Sequence, residues 1–344
     1  MTLEHSLDES ARVIKSQSAE QTISLDGTEG TRTALAKRIA EDLDTHTEEL
    51  YFEGFRNHLG ASVIGDECKR RLWYIFRWCN VERPSGRIQR LFNRGHLEES
   101  RIVGWLKGMG FEVWTHDESQ PQKPDGTYPQ YRINNSCGGH FGGSVDGIVR
   151  FPAKYNIAEP ALLSVKTSGT GAGFNKIEKD PLQIAKPEHF AQESVYGRAL
   201  GIKHVLYMCV NKNDDSIAVK VEKLDFQLAE QLEIKAESII FAQDAPPRVS
   251  QNSNFPKCKN FCEFKDVCHN GREPVKNCRS CVYCYPREES QFYCKKWDAI
   301  IPGRKEILKG CSEWVSINGP TPPPKTELRE CGQYEIETVP LPIL

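Results

Sequence analysis

No stretch of this sequence approaches the roughly 20 consecutive apolar residues of a membrane span. The opening MTLEHSLDESARVIKSQSAEQ is polar and lacks the apolar segment of a secretory leader. Membrane insertion and secretion are therefore not expected, and a cytoplasmic protein is. A surplus of one charge is missing as well, since 45 Lys and Arg face 47 Asp and Glu for a net charge of -2. Bulk charge thus excludes a polycation, and any surface for nucleic acid must be local. Internal repeats are lacking too.

What is present is a chain of 344 residues, 38% hydrophobic and 27% charged. That is enough for a sizeable core and, on length, for about two domains. Cysteine is plentiful at 13, and unevenly spread. Cys68, Cys79, Cys137 and Cys209 come early, and the other nine lie between Cys258 and Cys331. Clustered cysteines without a secretory leader point to metal rather than to disulfides. The odd total agrees.

Charge changes sign along the chain. Residues 1–53 hold twelve Asp/Glu and five Lys/Arg, read as a polar tail to about Gly30 and then one amphipathic helix. Gly54 to Lys107 hold eleven Lys/Arg and five Asp/Glu, and here Arg70, Arg71 and Arg77 interleave with Trp73, Tyr74, Phe76 and Trp78. Such a mixture suits phosphates with stacked bases. The plainer reading, favoured here, turns the aromatics into the core.

Period and punctuation predict helices over 65–78, 89–109, 188–200 and 225–242. Strands are predicted over 111–115, 140–151, 161–167, 204–212 and 217–224, the first three as a meander. Residues 121–135 read as a turn-rich loop and 169–183 as a flexible connector. The order describes an α/β core.

Four features line up on these elements. Glu98 and Glu99 lie on a helix, Asp146 and Ser164-Val165-Lys166 on strands, and Gln192 and Tyr196 one turn apart on another helix. Strand alternation puts Ser164 and Lys166 on one face and Val165 on the other. Two carboxylates with a lysine suit a magnesium and phosphate site. Taken singly, each has a plainer role: Asp146 in a turn, Lys166 at a strand end, one of Glu98 and Glu99 facing solvent.

On Gly95…Glu99, Val145-Asp146-Gly147, Leu162 to Thr167 and Pro187-Glu188-His189-Phe190-Ala191-Gln192…Tyr196, the chain resembles the PD-(D/E)XK nucleases, in particular RecB-like and phage exonucleases. His58 to Ser62, Ile64, Gly65 and Cys68 extend the likeness over roughly residues 55–315. The resemblance implies a restriction-endonuclease-like core, a mixed central sheet flanked by helices, with a small zinc-ribbon-like module behind it. Glu99, Asp146 and the Val165 carbonyl would hold Mg2+ or Mn2+. Lys166 would be the catalytic lysine, and Gln192 and Tyr196 would position DNA or water. Ser164 stands where these nucleases carry an acid. Three readings stay open: an inactivating substitution, a naturally silent DNA binder, or an acid supplied from elsewhere, with Glu188 the candidate and Glu193 expected to point away. The first is preferred.

Cys258, Cys262 and Cys268 form a C-x3-C-x5-C group, to which the resemblance adds Cys68 as fourth ligand of a [4Fe–4S] cluster; zinc is the rival. Cys278, Cys281, Cys294 and Cys311 are read as a structural zinc site, with Cys284 to spare. Expected boundaries are a tail at 1–53, a nuclease core at 54–270, a zinc module at 271–318 and a loose extension at 319–344. The expected function is a metal-dependent DNA exonuclease of phage recombination or replication, acting on DNA ends, with a single-strand annealing protein as partner. The alternative is a silent DNA-binding scaffold.

Overall fold

The computed structural model describes residues 26–50, 54–81, 83–124 and 126–319. Most of the expected tail, the extension after 319 and Cys331 lie outside the described residues. Along the chain run α1 (Glu29–Leu50), β1 (Leu59–Gly60), α2 (Lys69–Phe76), α3 (Gly86–Gly108), β2 (Glu112–Trp114), β3 (Arg132–Ser136), β4 (Phe141–Ser144) and β5 (Gly147–Arg150). Then come β6 (Ala161–Ser168), α4 (Ala172–Lys179), α5 (Leu182–Ala185), α6 (Pro187–Leu200), β7 (His204–Asn211), β8 (Ile217–Lys223) and α7 (Phe226–Ile240). A cysteine-rich segment follows with α8 (Pro256–Phe261), α9 (Lys265–His269), β9 (Cys284–Pro286), β10 (Phe292–Cys294), β11 (Ala299–Ile300) and α10 (Gly303–Lys309).

The central sheet has the order β2-β5-β6-β7-β8. Only β6 and β7 are parallel, so the sheet is mixed and its first three strands form the expected meander. Strand β6 is apolar from Ala161 to Val165 except at Ser164, as a strand covered on both faces should be. Ala161, Leu163 and Val165 pack with Ile102 and Leu106 of α3. Leu162, facing the other way, joins Val205, Val195 and Ile239 in the larger cluster beneath α6 and α7. Ser164 and Lys166 share that second face by strand alternation.

Several boundaries differ from expectation. The predicted strand over 140–151 is two strands: β4 belongs to a separate β1-β4-β3 sheet, and Val145-Asp146 turn the corner into β5. Glycine lets α6 pack close to β4 just before this corner, because a Cβ on Gly143 would sit 2.2 Å from the Tyr196 hydroxyl. The expected loop over 121–135 ends in β3, and the expected connector over 169–183 holds α4 and α5. Phe174, Ile177 and Leu182 are buried there, so an amphipathic pattern outweighs the glycines.

The aromatics of α2 go inward, as the plainer reading had it. Trp73, Tyr74, Phe76, Arg77 and Trp78 are all buried. Arg70 donates to the carbonyls of Ala245 and Pro246, and Arg71 pairs with Asp66 and Glu263. These residues offer no stacking surface for bases.

The cysteine-rich segment shares the main core through Cys284, Phe292 and Ile307. Its Arg279 is wholly buried, with the guanidinium 4.3 Å from the rings of Phe76 and Trp78 and 4.6 Å from Phe292. Arg77 reaches back to the carbonyls of Cys284 (2.7 Å) and Arg279 (3.3 Å). Among the described residues no helix is long and apolar enough to cross a membrane.

Candidate active site

Strand β5 pairs with β6 only as far as Gly147 opposite Leu163. Beyond that point the edge of β6 lies open, and Asp146 at the corner fills the gap. Its Oδ2 accepts the Val165 N–H at 2.8 Å and the Lys166 ammonium at 3.2 Å. The Asp146–Lys166 pair is thus built by the fold rather than by chance proximity on a surface.

Ser164 is fully buried, and its Oγ donates at 2.8 Å to Oε1 of Glu193, which α6 brings down onto the strand. The same Oε1 lies 4.0 Å from the Lys166 Nζ. The expectation that Glu193 points away is overturned: His189, Glu193 and Tyr196 follow at i, i+4 and i+7, the face of α6 turned to the sheet. Glu188, the expected substitute acid, is exposed and lines a groove with Ser62, Gly65, Asp66 and Lys257. An inactivated site is likewise unsupported, because a carboxylate already sits against residue 164.

The electrostatics follow from this crowding. Burial raises the Glu193 carboxyl to about 7, with the Asp146 charge adding to the rise and Lys166 and the Ser164 hydrogen bond opposing it. Burial works against the Lys166 ammonium, but Asp146 and Glu193 more than offset it and hold its pKa above the usual lysine value. Glu99 is also raised, by burial and then by Asp146, against the pull of His96 and Lys166. Its neighbour Glu98 does not face solvent, being buried in an ion pair with Arg101 at 2.7 Å. Gln192 donates to the Tyr196 hydroxyl at 3.1 Å.

Asp146, Ser164, Val165, Lys166 and Glu193 therefore form one contact network. Glu99 and Tyr196 lie within electrostatic reach of Asp146 and Lys166, Gln192 stands beside Tyr196, and Glu188 is apart. Glu193 and His189 were missed, although their spacing from Tyr196 carried the signal. Among the described residues no group of three or more His, Cys, Asp or Glu stands in a metal-holding arrangement. The donors suit a hard divalent ion in kind: they are carboxylate oxygens, and the Asp146 charge adds to the rise that burial imposes on Glu99 and on Glu193.

Cys68, Cys258, Cys262 and Cys268 all line one small cavity, together with Tyr74 and Phe264. In the second group, burial raises the Cys278 thiol to about 11, and Cys311, Cys281 and Cys294 add to the rise as near neighbours. Cys284 is buried against Arg77 and Arg279, with its thiol pushed up to about 12 by burial.

No family model matches the chain, and no curated protein does. Solved structures do. An alkaline exonuclease (LHK-Exo) from Laribacter hongkongensis is similar at 15% identity and TM-score 0.34, over 58% of this chain and 90% of that one. LHK-Exo in complex with dAMP gives 16% identity and TM-score 0.32, over 53% and 86%. SSO0001 gives 18% identity and TM-score 0.37, over 67% and 96%. At such scores the likenesses fix neither family nor activity.

Proposed function

We propose that the chain is a divalent-metal-dependent DNA nuclease whose third carboxylate is Glu193, supplied by helix α6 in place of a strand acid at residue 164. The observation that supports this most is the shared oxygen of Glu193, 2.8 Å from Ser164 Oγ and 4.0 Å from Lys166 Nζ. Asp146, Glu193, Glu99 and the Val165 carbonyl would hold Mg2+ or Mn2+, which when bound supplies Lewis-acid polarisation of the scissile phosphate and its water. Lys166, held charged by two carboxylates, orients the attacking water and steadies the charge that develops on the phosphate. Ser164 aims the Glu193 carboxylate, and Gln192, bonded to the buried Tyr196 hydroxyl, positions DNA or water with it.

The finer assignments belong to the same reading. The substrate is a DNA end, processed exonucleolytically, with a single-strand annealing protein as partner in phage recombination or replication. Cys68, Cys258, Cys262 and Cys268 hold a [4Fe–4S] cluster or zinc, and Cys278, Cys281, Cys294 and Cys311 a structural zinc. With Mg2+ or Mn2+, the purified protein is expected to degrade linear DNA. Glu193→Gln and Lys166→Ala are expected to lose cleavage by at least about a hundredfold, while Ser164→Ala keeps most of it. Cleavage by Glu193→Gln at the level of the unaltered protein would overturn the assignment.

A further inference from the structure

The proposed mechanism leaves two polar side chains in the neighbourhood of Lys166 without a task. Lys186 enters α6 as its N-cap residue, and His189 lies one turn before Glu193 on the face turned to the sheet. The His189 Nδ1 shares a 2.8 Å hydrogen bond with the Tyr207 hydroxyl. Tyr207 is fully buried and stands opposite Ser164 in the register of β6 and β7, so this edge of the imidazole points inward. His189 is half-buried, and Nδ1 is the ring nitrogen engaged by this bond, which leaves Nε2 for a further partner.

The protonation state follows. Burial, then the charges of Lys166 and Lys186, push the imidazole down to about 3, so it is neutral at physiological pH. A buried hydroxyl proton needs an acceptor, and Nδ1 is the one beside Tyr207. The ring's own proton therefore sits on Nε2 as a donor. The Lys186 Nζ lies 3.9 Å from where a side chain on Gly173 would begin, at the start of α4. A charged donor and a neutral one thus stand within electrostatic reach of each other, and His189 within that of Lys166 as well. A neutral N–H suits its place, since a third cation there would be repelled by the two lysines.

We propose that Lys186 and His189 grip the backbone phosphate adjoining the one presented to Asp146 and Glu193, Lys186 by its charge and His189 by its Nε2–H. His189 precedes Glu193 by four residues, about 6 Å along the helix axis, which separates the grip from the reacting centre. The inference takes its ligand, DNA, from the nuclease reading and adds two substrate-contacting residues and a tautomer set by Tyr207.

Equilibrium binding of a short labelled duplex, without added divalent ion and between about 50 and 200 mM salt, tests it apart from cleavage. Lys186→Gln is expected to weaken binding roughly tenfold and to lower the slope of log Kd against log salt by about one. His189→Gln is expected to weaken binding by a similar factor with the slope unchanged, because no charge is lost. Tyr207→Phe, which keeps the ring packing but releases Nδ1, gives a smaller loss in the same direction. Wild-type affinity in both Lys186→Gln and His189→Gln, each shown folded by its thermal midpoint, overturns the proposal. So does a reduced slope in His189→Gln. If Glu193→Gln still cleaves while Lys186→Gln loses binding, the metal-site reading falls and the grip stands.

Discussion

Residue 164 decides how this site is built. A serine there is small enough for Glu193 to lie across it, and its hydroxyl supplies the hydrogen bond that holds the carboxylate. Ser164→Glu would set a second carboxylate, in a fully buried position, against the first. We expect this variant to lower stability by a few kcal/mol and to be no more active, read by thermal denaturation and cleavage. A gain in cleavage would instead show that a strand acid was missing. Glu193 also sets a pH dependence. Its folded pKa of about 7 lies above its ordinary value of 4.5, so its burial weighs least on stability below 4.5 and increasingly as pH rises toward 7. His58, His140 and His189, all lowered by burial, act oppositely and cost stability as pH falls below 6.5. Glu193→Gln isolates the first effect: without divalent ion, its thermal midpoint should gain on the wild type between pH 5 and 8, roughly over the titration range. With the wild type, Mn2+ affinity should climb with pH to about 7 and then level, as the ligand carboxyl ionises. A flat profile would remove Glu193 from the metal.

At the scale of elements, helix α1 shows how far local pattern and packing can part. Its last ten residues carry Glu41, Asp42, Asp44, Glu48 and Glu49 with no basic residue in the final turn, against the helix dipole. The acids are placed for α3: Asp44 lies 2.7 Å from Arg90, and Glu48 accepts the Gly86 N–H at 3.0 Å. Gly86 permits the approach, since a Cβ there would fall 2.3 Å from the Asp44 carbonyl and 2.5 Å from Thr47 Oγ1. Gly86→Ala, a better residue for α3 itself, should therefore push α1 away. Hydrogen exchange over residues 29–50 should speed up while the sheet stays protected; unchanged protection would mean that α3 yields instead. The same contrast explains what was legible beforehand. Strands β2 and β6 to β8 and helices α3, α6 and α7 announced themselves because each is one uninterrupted run bounded by turn residues. The split at Asp146 did not, because apolar runs on either side of a corner read as one strand. Glu193 was hidden for a related reason: which face of α6 meets the sheet depends on tertiary packing, and the Gln192–Tyr196 spacing pointed to a neighbouring face. The four-residue step from His189 to Glu193 was the available clue.

For the whole molecule, the cysteine-rich segment is a clamp rather than an appendage. Arg279 gives up its hydration inside a cage of Phe76, Trp78 and Phe292, where burial holds its pKa well below the usual value. One hydrogen bond to the Asn57 carbonyl, at 2.8 Å, ties it to the segment leading into β1. A buried cation with so few partners is tolerable only while the rings and carbonyls around it stay in place. That placement depends on the turns through Cys278, Cys281 and Cys284, whose carbonyl is held by Arg77. Disrupting the second cysteine group should therefore unfold more than the tail. Cys281→Ser, or chelation of the zinc proposed for this group, should lower the melting temperature of the entire chain in a single transition and expose Trp78 to fluorescence quenchers. Arg279→Met, which keeps the bulk and discards the charge, should cost far less than Cys281→Ser, whereas Arg279→Ala, which empties the cage, should cost more than Arg279→Met. Two separate transitions, with the sheet melting unchanged after Cys281→Ser, would show that the segment folds independently and clamps nothing.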